Sequence, residues 1–507
     1  MTASTPRVQG HNPRTGEPVG TGVPETAPED LQRLLTEAAE AFPVLRASSP
    51  SSRAELLRLL ADRLEGAADD LVPLAAAESG LPLPRLTGEL ARTANQLRLF
   101  ADVVLEGQYL EAILEDADGT AIPPRPVLRR WLEPLGPVLV YAASNFPFAF
   151  SVLGGDTASA LAAGAPVLVK AHGSHPALSA AVSELAERAV ADSGLPSGVF
   201  GIVFGDQQGV TALRDRRIKA SGFTGSTAGG RFLFDVAANR PDPIPFFGEL
   251  GSINPTVVTP AAVSVRGAEV VDGFVGSFTL GAGQFCTKPG LLFLPAGHGL
   301  EDRLVAAVEG VAAAPMLNRR IAVQLQAGLD DLAAHPAVEL LAAGGLGPQE
   351  GSWGSARLFR TSAAAVAADP IALTEEHFGP AAIVVEYTEV DDLLEAIAAI
   401  DGSLTATLQA APDDTFPLAQ VLARLSERAG RVIYNGWPTG VAVAWAMNHG
   451  GPWPSTTNVG HTSVGATAIR RWLRPVSYQS LPDELLPPAL QAANPWGIPR
   501  REPPPPR

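Results

Sequence analysis

Cys286 is the only cysteine of this 507-residue chain and the residue best suited to covalent chemistry. It lies within residues 283–290, which read Gly-Gln-Phe-Cys-Thr-Lys-Pro-Gly. Glycines around the sulfur leave backbone amides uncovered, which suits a nucleophile that must also stabilise an oxyanion. A lone cysteine in a large protein is more often an inert apolar residue, so the nucleophile interpretation needs support from other residues.

Glu249 gives that support. It follows an apolar, strand-like segment and precedes Leu250 and Gly251. A carboxylate is a poor choice for packing at such a position, and burial raises its pKa toward the range of a general base. A structural glutamate held in a salt bridge is the alternative.

Composition excludes several classes of function. The chain has 53 acidic and 37 basic residues, a net charge of −16, which disfavours nucleic acid and membrane surfaces as partners. One cysteine rules out an intramolecular disulfide and the zinc sites built on two thiolates, and no metal site is expected. Residues 1–20 lack the apolar core of a secretory signal, which favours a cytoplasmic location.

Strand and helix patterns alternate along most of the chain, which predicts parallel sheets covered by helices on both faces. We expect one doubly wound α/β domain in residues 1–115 and 135–251 and a second α/β domain in residues 252–455. Residues 116–134 and 463–482 are predicted as extended arms. The proline-rich residues 495–507 are predicted as a flexible tail.

Six motifs occur in register along the chain, and together they resemble the signature set of the aldehyde dehydrogenase superfamily. The resemblance implies an α/β fold with two doubly wound lobes and an extended oligomerisation arm. It makes the first domain the dinucleotide-binding domain, the second the catalytic domain that carries the nucleophile, and residues 116–134 and 463–482 the oligomerisation arms. The motifs are Asn145-Phe146-Pro147, Val169-Lys170, Phe223-Thr224-Gly225-Ser226, Glu249-Leu250-Gly251, Gly283-Gln284-Phe285-Cys286 and Glu376-His377-Phe378-Gly379-Pro380.

Residues 148–159, 250–255, 286–290 and 449–454 are similar to the α-ketoglutaric semialdehyde (2,5-dioxovalerate) dehydrogenase branch. That branch also includes NADP-linked fatty aldehyde dehydrogenases. Residues 440–445 are less polar than this branch leads us to expect. The resemblance implies NAD(P)-dependent oxidation of an aldehyde to an acid, with 2,5-dioxovalerate as the first choice. A fatty or general aldehyde is the alternative, and a non-catalytic binding protein on the same fold is a distant one.

The resemblance also assigns roles. Cys286 attacks the aldehyde carbon, Glu249 activates the thiol and then the hydrolytic water, and the Asn145 amide donates to the oxyanion. A turn asparagine is the alternative for Asn145. No histidine is close to Cys286 in sequence; the nearest downstream is His298.

The implied cofactor residues are Lys170 for the adenine ribose, Gly225 and Ser226 for the pyrophosphate, and Glu376 with Phe378 for the nicotinamide ribose. Gly173 stands where NAD-preferring members commonly place a glutamate, which permits NADP+, and His172 is a candidate phosphate donor. We therefore expect NADP+, with NAD+ as the other option.

Phe150, Phe285 and Lys288 are the candidate substrate residues. Lys288 either pairs with a substrate carboxylate or only braces its loop. The arms imply a homodimer or homotetramer, in which they would pair as strands between subunits.

Overall fold

The computed structural model describes residues 6–502. Its first lobe is built on a five-stranded sheet in which all neighbouring strands are parallel. The first strand of this sheet along the chain, Val138–Tyr141, lies in its centre. The next two strands extend the sheet to one edge, and the last two extend it to the other edge, so the strand order reverses between Val138–Tyr141 and Ala220–Thr224. Ligands of such sheets bind beyond the carboxyl ends of the strands at this reversal. Across the sheet the strands are Phe200–Val203, Val167–Lys170, Val138–Tyr141, Ala220–Thr224 and Phe246–Glu249.

Helices cover both faces of this sheet because apolar residues recur at intervals of three and four. In Leu83–Glu106 the buried stripe includes Leu90, Leu97 and Val104, and Gly107 ends the helix with a φ of +77°. The helices of this lobe are Pro28–Ala47, Pro50–Gly66, Ala68–Ser79, Leu83–Glu106, Gly155–Ala163, Pro176–Asp192, Asp206–Arg214 and Thr227–Ala238.

The second lobe has a seven-stranded sheet with apolar cores on both faces. Only its first pair of strands is antiparallel. The strands, in order across the sheet, are Glu339–Ala343, Arg357–Ser362, Ala381–Tyr387, Leu291–Pro295, Pro255–Val258, Ser403–Gln409 and Ala429–Tyr434. The helices are Pro260–Thr279, Glu301–Glu309, Arg319–Ala334, Ala363–Ala368, Pro370–Leu373, Val390–Ala399 and Leu418–Arg428.

The two predicted arms pair with each other within the chain. Leu473–Gln479 lies antiparallel to Leu128–Pro134 along its whole length, and Ala112–Glu115 and Arg500–Arg501 complete a four-stranded sheet. The prediction of a flexible tail does not hold for residues 495–502. Ile498 is buried and Arg500–Arg501 pairs with Ala112–Ile113, because the chain crosses an open sheet edge here. Residues 503–507 lie outside the described residues.

Two small antiparallel pairs complete the structure: Arg7–His11 with Pro18–Pro24, and Ala314–Pro315 with Trp353–Gly354. Within residues 6–502, none of the helices has both the length and the apolar character needed to cross a membrane.

Candidate active site

Cys286, Glu249 and His449 meet where the two lobes face each other. The Sγ atom of Cys286 lies 3.5 Å from His449 Nε2, and the same nitrogen lies 2.9 Å from Glu249 Oε1. One atom of each residue lies within 4.8 Å of the other two. Glu249 and His449 are buried, and Cys286 is partly exposed. A nucleophile, a carboxylate and an imidazole thus share one small volume.

The backbone around Cys286 holds the sulfur at this point. Gly283 has a φ of +65°, and a side chain there would place its Cβ 2.2 Å from the Gly379 carbonyl oxygen, so only glycine lets the two loops pack. Asn254 is fully buried, and its Nδ2 donates to the carbonyl oxygens of Cys286 at 2.8 Å and Lys288 at 2.9 Å. The nucleophile loop is therefore fixed from both sides.

The ionisation states follow from burial and from the neighbouring charges. Burial, and then the negative charge of Glu249, raise the pKa of Cys286 well above its ordinary value. Burial also acts to raise the pKa of Glu249, but His449 and hydrogen bonds from His449 and Ser463 outweigh it and hold that pKa below its ordinary value. At neutral pH the resting site therefore holds a protonated thiol beside an ionised carboxylate.

The shared nitrogen of His449 must carry a hydrogen in this state. An ionised carboxylate only accepts hydrogen bonds, so Nε2 donates to Glu249 Oε1, and Ser463 Oγ donates to Oε2. Once the thiol proton has left, the same N–H is placed to donate to the thiolate instead. His449 is thus built to serve both partners of the proton transfer.

Asn145 follows the strand Val138–Tyr141 and reaches the nucleophile loop. Its Nδ2 donates to the Gln284 carbonyl oxygen at 3.1 Å, and its own carbonyl oxygen accepts from Arg85 Nη2 at 2.7 Å. The structure thus brings all three predicted catalytic residues, Cys286, Glu249 and Asn145, to one place.

Three phenylalanines form a wall beside this cluster. Phe146 packs edge-on against both Phe150 and Phe285, with ring centroids 5.2 Å apart in each pair. Phe150 also lies 6.4 Å from the His449 ring. Two of the predicted substrate residues, Phe150 and Phe285, therefore belong to this wall.

Lys288, the third predicted substrate residue, has a different environment. It is fully buried, and its Nζ donates to the carbonyl oxygens of His377 at 2.9 Å and Ala381 at 2.7 Å. Burial lowers its pKa to about 8. Of the two roles open for Lys288, this geometry corresponds to bracing the loop, because two of its three N–H donors already bond backbone carbonyls.

The residues predicted for the adenine ribose and pyrophosphate lie at the carboxyl ends of the five-stranded sheet. Lys170 ends the strand Val167–Lys170 and forms an ion pair with Asp206. Gly225 is exposed, and Ser226 caps the helix Thr227–Ala238 by accepting from Gly229 N at 3.3 Å. The uncapped amides of this helix start fit a phosphate group.

Glu376 and Phe378 lie on the facing lobe. Oε2 of Glu376 accepts from Ser252 N at 3.2 Å, whereas its Oε1 is buried and has no hydrogen-bond partner among residues 6–502. Burial raises the pKa of Glu376 to about 7. A buried acceptor without a donor fits a ribose hydroxyl, so the residues present suit a dinucleotide. Phe378 packs against the apolar core of the first lobe.

His172 and Gly173 follow Lys170. Nδ1 of His172 accepts from Ser174 N at 3.1 Å, and burial lowers the pKa of His172 well below its ordinary value, so it is uncharged at neutral pH. A Cβ at Gly173 would meet only Val8 Cγ1 among residues 6–502, at 3.8 Å, which is ordinary van der Waals contact. This position therefore has room for a Cβ and carries no carboxylate.

Sequence reasoning missed His449 and Ser463, which hold Glu249. In the sequence, residues 449–454 are distinctive only through their similarity to the semialdehyde dehydrogenase branch. Its nearness to Cys286 arises from tertiary packing across two lobes, which no local pattern shows. The one local signal that could have indicated His449 is that glycines and prolines follow it, as in a loop.

The comparisons with known proteins agree with this geometry. The model of the aldehyde dehydrogenase family matches residues 1–475. The alpha-ketoglutaric semialdehyde dehydrogenase 2 of Azospirillum brasilense is 45% identical, covering 99% of this chain and 96% of the relative. The alpha-ketoglutaric semialdehyde dehydrogenase of Acinetobacter baylyi is 39% identical, with the same coverage of 99% and 96%.

Solved structures show the same fold. A 3,6-anhydro-L-galactose dehydrogenase has a TM-score of 0.80 at 21% identity, covering 94% of this chain and 96% of that one. The aldehyde dehydrogenase of Bacillus cereus in its NAD+ complex has a TM-score of 0.78 at 20% identity, covering 93% and 92%. The α/β fold and the family predicted from the six motifs are confirmed. The chain belongs to the aldehyde dehydrogenase family.

Proposed function

We propose that this aldehyde dehydrogenase oxidises 2,5-dioxovalerate to 2-oxoglutarate, with NADP+ as its preferred cofactor. The observation that supports this reaction is the cluster in which His449 Nε2 contacts both the Cys286 sulfur and the Glu249 carboxylate. The substrate rests on the two relatives that are named for this semialdehyde and that align over nearly the whole chain.

The first half of the reaction is attack by sulfur. Glu249 takes the thiol proton, and the Sγ atom of Cys286 bonds to the aldehyde carbon. The oxygen of the aldehyde becomes an oxyanion, which the Asn145 amide and the backbone N–H of Cys286 stabilise. One N–H of the Asn145 amide bonds the Gln284 carbonyl, and the amide has a second N–H for the oxyanion.

The second half is hydrolysis. When bound, the nicotinamide cofactor supplies the hydride acceptor that turns the thiohemiacetal into a thioester. Glu249 first loses the thiol proton to solvent. Held by His449 and Ser463, it then takes a proton from water as the water attacks the thioester carbon. Glu249 returns that proton to the Cys286 sulfur as the sulfur leaves, and the carboxylic acid is released.

Comparing kcat/KM for 2,5-dioxovalerate and for octanal, each with NADP+ and with NAD+, tests the proposed function. We expect the oxo acid to be preferred by about tenfold or more, which is about 1.4 kcal/mol in transition-state binding. A preference for octanal would leave the mechanism standing and overturn the substrate. Absence of reduced cofactor with both aldehydes would overturn the reaction itself.

Replacing His449 tests its share in the proton transfer. We expect His449→Ala to lower kcat/KM by about tenfold to a hundredfold, since Glu249 and the thiolate both lose a hydrogen-bond donor. Alkylation of Cys286 by iodoacetamide at neutral pH is expected to slow in parallel. His449→Gln, which restores an N–H donor, is the matched control and regains part of both rates. Equal rates in the wild type and the alanine variant would contradict this role.

A substitution at Gly173 tests the cofactor. Gly173→Glu places a carboxylate beside the site that we assign to the 2′-phosphate of NADP+. A Cβ at this position makes only ordinary van der Waals contact. We expect kcat/KM with NADP+ to fall by about tenfold or more relative to NAD+, from repulsion between like charges. Gly173→Gln, of equal size but uncharged, should keep most of the NADP+ preference. An unchanged ratio in the glutamate variant would contradict the assignment.

We infer also that the protein forms a homodimer or homotetramer. Two sheet edges support this: Ala429–Tyr434 ends the seven-stranded sheet with Val432 and Tyr434 exposed, and Leu473–Gln479 ends the arm sheet. Open strand edges are ready to pair with another chain. Light scattering gives the mass, and a monomer at assay concentration would contradict the inference. The cytoplasmic location stays a prediction.

A further inference from the structure

Two arginines of the helix Leu83–Glu106 lie beside the catalytic cluster and have no part in the reaction derived above. Arg85 and Arg92 are about two helical turns apart, so they project from one face. Both are partly buried. A mainly aromatic pocket next to a nucleophile would not need two guanidinium groups for an uncharged aldehyde.

Arg85 is already engaged. Its guanidinium carbon lies 5.0 Å from the ring centroid of Phe146 and 4.7 Å from that of Phe285, and its Nη2 donates to the Asn145 carbonyl oxygen. These contacts hold the phenylalanine wall and the loop that carries Asn145. The Nη1 atom of Arg85 is buried without a hydrogen-bond partner among residues 6–502, as is that of Arg92, but these other contacts make Arg85 a positioning residue.

Arg92 is held much less firmly. Its guanidinium carbon lies 5.5 Å from the Phe150 ring centroid, and its Nη2 makes one long bond of 3.4 Å to the Val441 carbonyl oxygen. Its Nη1 is buried and has no hydrogen-bond partner among residues 6–502. A buried N–H of a charged group is costly to leave unpaired. The N–H groups of this atom therefore need a hydrogen-bond acceptor from a bound ligand.

The charged groups around Arg92 do not hydrogen-bond to its Nη1, although Oε2 of Glu89 is also buried without a partner among residues 6–502. Oε1 of Glu89 accepts from the backbone N–H groups of Phe148 at 2.8 Å and Ala149 at 3.1 Å, so this carboxylate oxygen serves the loop. Arg92 lies over Phe150, whose ring centroid is 6.4 Å from that of His449, the residue that contacts the Cys286 sulfur. An anion bound by Arg92 would thus lie in the same pocket as the reacting sulfur.

We propose that Arg92 binds the carboxylate of the substrate and makes the enzyme select acidic semialdehydes over uncharged aldehydes. This inference rests on the proposed function and gives the substrate carboxylate a partner other than Lys288, whose ammonium already bonds two backbone carbonyls. Arginine suits the task because its planar N–H pair matches the two oxygens of a carboxylate.

The test measures a preference ratio in the wild type and in Arg92→Met, which keeps volume and removes charge. The substrates are 2,5-dioxovalerate, 5-oxopentanoate and pentanal, which share a chain length and differ in the carboxylate and the 2-oxo group. We expect the ratio of kcat/KM for either acid to that for pentanal to fall by about 30-fold to 100-fold in the variant. Arg92→Lys, which keeps the charge without the paired donors, should give an intermediate ratio.

An unchanged ratio in Arg92→Met would overturn the proposal, because the carboxylate would then be bound elsewhere. Competitive inhibition of pentanal oxidation by 2-oxoglutarate gives a second readout, and its inhibition constant should rise by a similar factor. If the methionine variant does not fold, Arg92→Gln takes its place. Failure of the wild type to oxidise 2,5-dioxovalerate would overturn the proposed function, whereas the inhibition constant would still decide the role of Arg92.

Discussion

Cys286→Ser is expected to abolish aldehyde oxidation, lowering kcat/KM by at least about 10⁴-fold. The serine hydroxyl is a far weaker nucleophile, and the alkoxide that it would need is much harder to form than a thiolate in a site already holding the Glu249 charge. Reduced-cofactor formation measures the loss. Because Cys286 is the only cysteine, the wild type should take up one iodoacetamide label and the variant none.

The serine variant must keep its fold for this result to count. The change removes no buried apolar bulk, so we expect the midpoint of thermal unfolding to stay close to that of the wild type. A folded Cys286→Ser variant that retained a tenth of the wild-type rate would contradict covalent catalysis at this position.

Glu249→Gln is expected to lower kcat by about 10²-fold to 10⁴-fold, because an amide cannot accept the proton of the thiol or of the hydrolytic water. The change is isosteric, and the amide oxygen can still accept from Ser463 or His449. Steady-state kinetics measure kcat, and the transient after rapid mixing measures the first turnover separately. Ser463→Ala, which removes one donor to the same carboxylate, is the matched control and should cost far less.

The pH dependence of the wild type gives the same residue a second test. Its partners hold the pKa of Glu249 below the ordinary carboxylate value, so the base stays ionised as the pH falls until it reaches that lowered pKa. The part of the decline in activity that depends on Glu249 should therefore fall at pH values below the ordinary pKa of glutamate. A decline centred near neutral pH that disappears in Glu249→Gln would contradict this ionisation state.

Local motifs predicted the parts of the site that each depend on one short segment. Cys286 sits in a glycine-rich loop, Glu249 at the end of a buried strand and Asn145 just after another, and these positions are visible in sequence. The regular alternation of strands and helices likewise predicted the two parallel sheets. The contacts among these three residues could not be predicted from the sequence, because they depend on which strand ends the two sheets bring face to face.

His449 and Arg92 show where sequence reasoning stops. His449 reaches Glu249 only because residues 449–463 cross the cleft between the lobes, and Arg92 projects from a helix whose pattern shows only its apolar stripe. The sequence also left the role of Lys288 open, since an ammonium bonded to two backbone carbonyls and one facing a ligand have the same local pattern.

The central claim is that the aldehyde becomes covalently bound to Cys286 and is released by hydrolysis. Glu249→Gln, mixed with 2,5-dioxovalerate and NADP+ at alkaline pH, where part of the Cys286 thiol ionises without the base, and quenched in acid, should accumulate the thioester because its hydrolysis still lacks a base. Mass spectrometry of the digested protein is predicted to find one 2-oxoglutaryl group on the peptide that contains Cys286. Formation of NADPH with that peptide left unmodified would contradict the account.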